Sequence, residues 1–217
     1  MVKTDVERYI EQLIPKRGAL IEEMEEYAKN NGVPIMDIVG IEALLQVLRL
    51  YHPKKILEVG TAIGYSAIRM ALCLPDSIIW TIERDEERYD LALANIKKAG
   101  LDGRIEVLYG DATDLVDEVA EKGPFDFIFI DAAKGQYERY FENYGNALGD
   151  KGVIVSDNVL FKGYVANDEN LESRRMRSLV KKIRNYNDFI MKHPGFVTTI
   201  LPVGDGMAIS IKKEKAD

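Results

Sequence analysis

The apolar positions of this chain change period twice. Through residue 52 they fall at helical spacing. Val6, Ile10 and Leu13 share one face, followed by Leu20, Met24 and Tyr27, then by Ile38, Ile41, Leu44, Leu45 and Leu48. Pro15 and the Asn30-Asn31-Gly32 cluster divide them into separate helices. From Lys54 onward, short apolar runs alternate with helix-period stretches. The runs are KILEV (55–59), IIWTI (78–82), IEVL (105–108), FDFIFI (125–130) and VIV (153–155); the stretches are 65–74, 85–99, 113–122 and 136–148. Runs that are apolar on both sides and separated by helices predict a parallel sheet covered on both faces. A long helix over 173–192 then precedes two late runs, VTTIL (197–201) and MAISI (207–211). The turn Val203-Gly204-Asp205-Gly206 between them predicts a terminal antiparallel hairpin on the sheet. The expected fold is α/β and doubly wound: one domain over 1–217, with an N-terminal helical cap (1–52) on a core (53–217).

Composition narrows the classes. Of 217 residues, 47% are apolar and 30% charged, which excludes long-range disorder. A single cysteine, Cys73, excludes a disulfide framework. With only His52 and His193 beside it, the chain lacks the N/S ligands of a structural zinc site. No stretch approaches the roughly 18 apolar residues of a membrane span, and the charged N-terminus is no signal peptide. The expectation is a cytoplasmic protein without a membrane partner. A net charge of −7 argues against a general nucleic-acid binder. Yet residues 172–184 hold six basic residues against one acid, a basic stripe on an acidic body.

In an open α/β sheet, ligands bind beyond the carboxyl ends of the strands. After the first run comes Gly60-Thr61-Ala62-Ile63-Gly64-Tyr65-Ser66; Gly60 permits a tight turn, and Gly64 opens a helix whose amino end favours negative groups. Its spacing is neither that of a dinucleotide fingerprint nor that of a phosphate-binding P-loop. The second run ends at Glu83, placed to accept the hydroxyls of a ribose or else to cap the next helix. The third leads to Gly110-Asp111-Ala112, where Asp111 either accepts from a base amine or caps the following helix. The fourth and fifth end in Asp131 and in Asp157-Asn158. These are three oxygen donors from two neighbouring strands, suited to a hard cation such as Mg²⁺. Lys134 overhangs the same place, and beside a cation its ammonium is destabilised enough to serve as a base.

These residues carry a resemblance. LEVGTAIGYSA, the acid at 83, GDA at 110–112, FIDAAK ending at Lys134, SDNVL at 156–160 and LPVGDGMAIS at 201–210 resemble the S-adenosylmethionine- and metal-dependent O-methyltransferases, the group of the catechol and caffeoyl-CoA enzymes. VPIMDIVGIEALLQVL, TAIGYSAIRMAL, IDAAKGQY and DNVLFKGYVA resemble in particular its bacterial tRNA 5-hydroxyuridine branch. The resemblance implies a Rossmann-like methyltransferase fold with a seven-stranded, mostly parallel sheet, and a homodimer. It implies that Met36, Gly60, Tyr65, Ser66, Glu83, Asp111, Ala112 and Asp131 bind S-adenosylmethionine. It implies that Asp131, Asp157 and Asn158 hold Mg²⁺, and that Lys134 and Asp131 are catalytic. The substrate-gating aromatic residues and the C-terminal acid of catechol enzymes have no counterpart placed in this sequence.

The implied reaction methylates the 5-hydroxyl of 5-hydroxyuridine at the tRNA wobble position, giving 5-methoxyuridine. That hydroxyl lies beside the C4 carbonyl, so the oxygen pair would chelate one cation as a catechol does. The alternative is a small catechol or caffeoyl-CoA-type acceptor. For a tRNA anticodon arm, Arg174, Arg175, Arg177, Lys181 and Lys182, with Arg184, would contact phosphates from the 173–192 helix; the alternative there is a solvated face. Phe161 and Tyr164 would stack on a base or simply pack.

Overall fold

The computed structural model describes residues 5–169, 171 and 173–214. The outer ends of the expected 1–217 domain, and Glu172 at the head of the basic stripe, lie outside the described residues. Every apolar run of the core becomes a strand: β1 (Lys55–Val59), β2 (Ile78–Glu83), β3 (Ile105–Tyr109), β4 (Phe125–Ile130) and β5 (Leu148–Ser156). The late runs form β6 (Phe196–Leu201) and β7 (Met207–Lys212). They make one seven-stranded sheet in the order β3-β2-β1-β4-β5-β7-β6. The first five strands are parallel; β7 runs antiparallel to β5, and β6 antiparallel to β7.

Alternation along the strands builds two apolar layers. Ile56, Phe127, Phe129, Val153 and Val155 face one layer; Leu57, Val59, Ile128, Ile130 and Ile154 face the other. The first is covered by α2 (Ala19–Asn31), α3 (Ile38–Tyr51), α4 (Tyr65–Cys73) and α5 (Glu86–Lys98). The second is covered by α6 (Val116–Lys122), α7 (Tyr137–Gly145) and α8 (Arg174–Lys192). Strand order reverses between β1 and β4, and there the loops diverge to leave a crevice.

Four expectations are corrected. β5 begins at Leu148, because its backbone pairs with β4 through the polar Gly149–Gly152 stretch, with a register shift between Phe125 and Phe127. α6 begins at Val116, not at 113, because the Asp111 carboxylate takes the Thr113 amide and hydroxyl and holds that segment in a turn. Residues 134–136 form a separate 3-10 turn ahead of α7. Finally, α1 (Asp5–Leu13) is helical, but its apolar face is uncovered: Val6 is 66% and Leu13 63% exposed.

The N-terminal cap shares the core. Ile41, Leu44, Leu45 and Leu48 of α3 are fully or almost fully buried with sheet residues. A half-buried ionic network adds to this. Arg17 grips both oxygens of Glu25, Tyr65 donates to Glu25, and Arg69 reaches Tyr65 and Glu42, so that α2 and α3 are tied to α4. Leu44→Ala is therefore expected to destabilise the whole chain by about 3 kcal/mol. Urea unfolding followed by Trp80 fluorescence and far-UV circular dichroism should shift as one transition; separate transitions would show a cap that folds apart from the core.

Candidate functional site

The site is assembled by backbone at the reversal point. After β1 the chain turns at Gly60 (φ +107°), where Gly60 and Thr61 donate to the Ile82 carbonyl of β2. A Cβ at Gly60 would lie 2.2 Å from the Asp131 carbonyl oxygen, so only glycine lets the ends of β1 and β4 come this close. Gly64 (φ +84°) then opens α4. Asp131 continues the ladder by donating to Val59, as Asp157 does to Ile130.

Beyond these strand ends lies a cavity of about 310 Å³. Glu83 lines it, with its carboxylate locked by backbone amides: Ala62 donates to Oε2 at 2.8 Å, and Arg84 and Asp85 to Oε1 at 2.9 Å. Beneath the loop, Glu58 is fully buried and accepts from the hydroxyls of Ser66 and Thr81. Burial pushes its carboxyl up to about 7. The two hydroxyl donors oppose the rise, and the Asp131 and Glu83 carboxylates add to it.

A second cavity of about 280 Å³ adjoins the first and shares Ile35, Met36 and Asn158 with it. Asp37, Asp157, Lys162 and Asp205 line it, and Glu7 and Glu11 of α1 close one side. At the junction, Asn158 Nδ2 lies 2.7 Å from Asp157 Oδ2 and 3.2 Å from Asp131 Oδ1. Asp157 is 3% exposed, and its Oδ1 has no hydrogen-bond partner. Burial raises both carboxyls. Asp131 raises that of Asp157 further, while Asp205 adds to the rise at Asp131 and Lys134 opposes it at both. Two enclosed carboxylates, one with an orphaned oxygen, suit a hard cation. Among the described residues no three His, Cys, Asp or Glu side chains gather as a metal cluster, so Asn158 would be the third protein donor. The half-buried Lys134 sets its Nζ 5.9 Å from the centre of the Phe161 ring.

Residues 14–213 match the O-methyltransferase family. The chain belongs to that family. The methyltransferase is 32% identical over 211 residues to the caffeoyl-CoA O-methyltransferase of Medicago sativa, covering 91% of this chain and 83% of that one. It superposes on a Staphylococcus aureus protein named for caffeoyl-CoA O-methyltransferase with a TM-score of 0.90 and 37% identity, over 95% of this chain and 98% of that one. It is likewise similar to an O-methyltransferase of Bacillus cereus in complex with SAH. There the TM-score is 0.82 and the identity 30%, over 97% and 98% of the two chains. Among the described residues of the methyltransferase, no helix is long and apolar enough to cross a membrane.

The first cavity gathers Met36, Gly60, Tyr65, Ser66, Glu83, Ala112, Asp131, Lys134 and Asn158, all but Asp111 and Asp157 of the residues that the resemblance assigns to cofactor, cation or catalysis. Asp157 opens into the second cavity instead. Asp111 lines neither: its oxygens go to Thr113 and to Arg84, 3.2 Å away, while Gly110 and Ala112 face the cavity. Nor does Asp111 cap a helix, since the N-cap of α6 is Leu115.

The basic stripe divides. Arg174, Arg175, Lys181 and Lys182 are exposed. Arg177 donates to the Leu171 carbonyl, and Arg184 ties down Tyr164, Val165 and Asp168, so these two serve the loop before α8. Phe161 and Tyr164 pack ring to ring at 6.1 Å.

Sequence reasoning passed over Glu58, Asp37, Lys162 and Asp205. Glu58 was findable as the one acid inside an otherwise apolar parallel strand, apart from its flanking lysines. Asp205 looked like a hairpin turn residue.

Glu58 yields a pH test. The folded state keeps its proton to about pH 7, whereas an unfolded glutamate releases it near 4.5. Raising the pH through that window therefore favours unfolding. Glu58→Gln removes this penalty. The melting temperature of the variant relative to wild type should rise between about pH 5 and pH 8. A difference that does not change with pH would show that Glu58 titrates normally.

Proposed function

We propose that this O-methyltransferase uses S-adenosylmethionine and a hard divalent cation to methylate one of two adjacent oxygens on a small acceptor of the catechol or caffeoyl-CoA kind. The convergence of Asp131, Asp157 and Asn158 at the junction of two cavities carries this reading. One cavity has the fixed carboxylate expected for a ribose. The other lies on the far side of the three oxygen donors, where an acceptor would sit. The names of the relatives support the acceptor class, and a neighbour's complex with SAH, the demethylated form of the donor, supports the cofactor.

In this reading Glu83 accepts the ribose hydroxyls, with its orientation set by three amides before any ligand arrives. Gly110 and Ala112 give backbone surface to the adenine, and Met36 closes the cavity from the N-terminal side. Ser66, held by Glu58, fixes the amino end of α4 beneath the methionine moiety. Asp131, Asp157 and Asn158 hold the cation. When bound, it lowers the pKa of an acceptor hydroxyl. Lys134 Nζ, entering the step as the neutral amine, takes the proton that leaves the acceptor oxygen and becomes the ammonium, as the sulfonium–methyl bond breaks and the new oxygen–methyl bond forms. The protein's work is alignment and exclusion of water, since the methyl group arrives activated.

A second reading, 5-hydroxyuridine of a tRNA anticodon arm as the acceptor, is favoured by one observation. The exposed Lys182 reaches the 3-10 turn that begins at Lys134: a Cβ on Gly135 would be 3.3 Å from its Nζ. With Arg174, Arg175 and Lys181 it would offer phosphate contacts whose strength falls with salt.

Purified protein with Mg²⁺ and S-adenosylmethionine should methylate catechol or caffeoyl-CoA, read by mass spectrometry. Turnover only on tRNA carrying 5-hydroxyuridine, lost on charge reversal at Arg174, Arg175 and Lys182, would establish the second reading instead. In either case excess EDTA should abolish turnover. Asp157→Ala should lower it by about two orders of magnitude, with S-adenosylmethionine affinity by calorimetry near wild type. Full activity in EDTA would remove the cation from the mechanism.

A further inference from the structure

The motif Val203-Gly204-Asp205-Gly206 does more than join two strands. It closes on itself through the Gly206 amide to the Val203 carbonyl at 3.0 Å, and it lies against the segment that follows Asn158. The Gly206 carbonyl accepts from Val159 at 3.0 Å, and the Asp205 carbonyl accepts from both Leu160 (2.9 Å) and Phe161 (3.1 Å). Three consecutive amides are thus held by two consecutive carbonyls of the turn. On the other side, Asn187 of α8 donates to the Val159 carbonyl at 2.8 Å.

The segment so gripped is strained. Asn158 (φ +62°), Phe161 (φ +42°) and Lys162 (φ +55°) are all left-handed without being glycine. Such conformations persist only where surrounding contacts over-determine them. From this left-handed position the Asn158 side-chain Nδ2 donates to both Asp131 and Asp157.

The contact is also close. A Cβ on Gly206 (φ +92°) would lie 2.4 Å from Leu160 Cγ, 2.6 Å from Leu160 Cβ and 2.7 Å from the Leu160 amide nitrogen. A Cβ on Gly204 (φ +58°) would lie 2.2 Å from Asp37 Oδ2. Asp37 in turn caps α3, with Oδ1 accepting from Val39 and Gly40, and follows Met36, which lines both cavities. The turn is therefore wedged between the Asn158 segment and the N-terminal wall.

We propose that Gly206 and the main-chain carbonyls of Asp205 and Gly206 are positioning elements for cation binding: they clamp residues 159–161 and so hold Asn158 in the left-handed conformation that completes the Asp131–Asp157–Asn158 site. This rests on the cation reading above. Gly206 touches neither the carboxylates nor the acceptor; it acts through Leu160. Partners that orient metal ligands govern affinity strongly, so a displaced Asn158 loosens the cation while Glu83 keeps its three amide donors.

Mn²⁺ is the probe, titrated calorimetrically and by electron paramagnetic resonance into the full-length protein, with S-adenosylmethionine affinity measured in parallel. Gly206→Ala should weaken Mn²⁺ binding by about tenfold or more while S-adenosylmethionine affinity stays near wild type. Gly32→Ala is the control: it bears the same kind of strain (φ +65°) with no atom within 4 Å of the added Cβ, and should leave Mn²⁺ binding unchanged. Should Gly206→Ala fail to fold, hydrogen exchange in the wild-type protein is the second measurement: Mn²⁺ should slow exchange of the Val159, Leu160 and Phe161 amides that the turn carbonyls hold. Wild-type Mn²⁺ affinity in Gly206→Ala, equal weakening in Gly32→Ala, or exchange at residues 159–161 that Mn²⁺ leaves unchanged, would overturn the inference. Wild-type protein that binds no Mn²⁺ and is indistinguishable from Asp157→Ala would instead overturn the cation reading beneath it.

Discussion

Two carboxylates enclosed side by side are an expense that the fold must justify, and most of this molecule is arranged around that pair. Asp131 and Asp157 stand next to one another because β4 and β5 are parallel and in register, with Ile130 opposite Ser156. The residue after each strand is then carried out at the same level. The ladder continues into the site itself, through Asp131 to Val59 and Asp157 to Ile130. Both carboxyls are pushed above the usual carboxylate range, burial being the main cause, with Asp131 adding to it at Asp157 and Asp205 adding to it at Asp131. A divalent cation reverses that balance, because it favours the charged forms that burial disfavours.

The reversal of strand order explains why the two cavities meet there. Without a side chain at Gly60, the β1 turn can lie against the Asp131 backbone, so the turn that lines the first cavity and Asp131 are nearly in contact. On the donor side, carboxylates are managed differently. Glu83 accepts from three backbone amides, whereas Glu58 has only hydroxyl partners and holds its proton to about pH 7. Two acids on adjacent strands thus differ in place: one lines the cavity with its carboxylate fixed by main chain, and the other is a strut beneath the loop.

The N-terminal cap closes the arrangement. Its α3 belongs to the same apolar layer as β1 and β4, and the segment leading into it, with Met36 and Asp37, forms a wall common to both cavities. Asp37 is engaged twice, as a helix cap and as the side chain packed into the space that glycine leaves at position 204. The two cavities therefore share walls, through Ile35 and Met36 on the N-terminal side and through Asn158 at the strand ends.

Local patterning along the chain determined the strands, the helices, the terminal hairpin and the positions at which strand ends carry oxygen donors. Period is a property of neighbouring residues and survives folding, whereas the first residues of β5 and α6 were reset by strand pairing and by the Asp111 turn. Tertiary structure alone decided how each polar group is spent. Asp111 turned from the cavity to its own loop and to Arg84; Arg177 and Arg184 turned from the basic stripe to bind carbonyls; and the apolar face of α1 stayed in the open. Asp205 passed from a turn residue to the wall of a cavity, with its carbonyl holding the segment after Asn158. A buried donor or acceptor must find whichever partner the fold brings within about 3 Å, and that partner lies many residues away, where no local pattern records it.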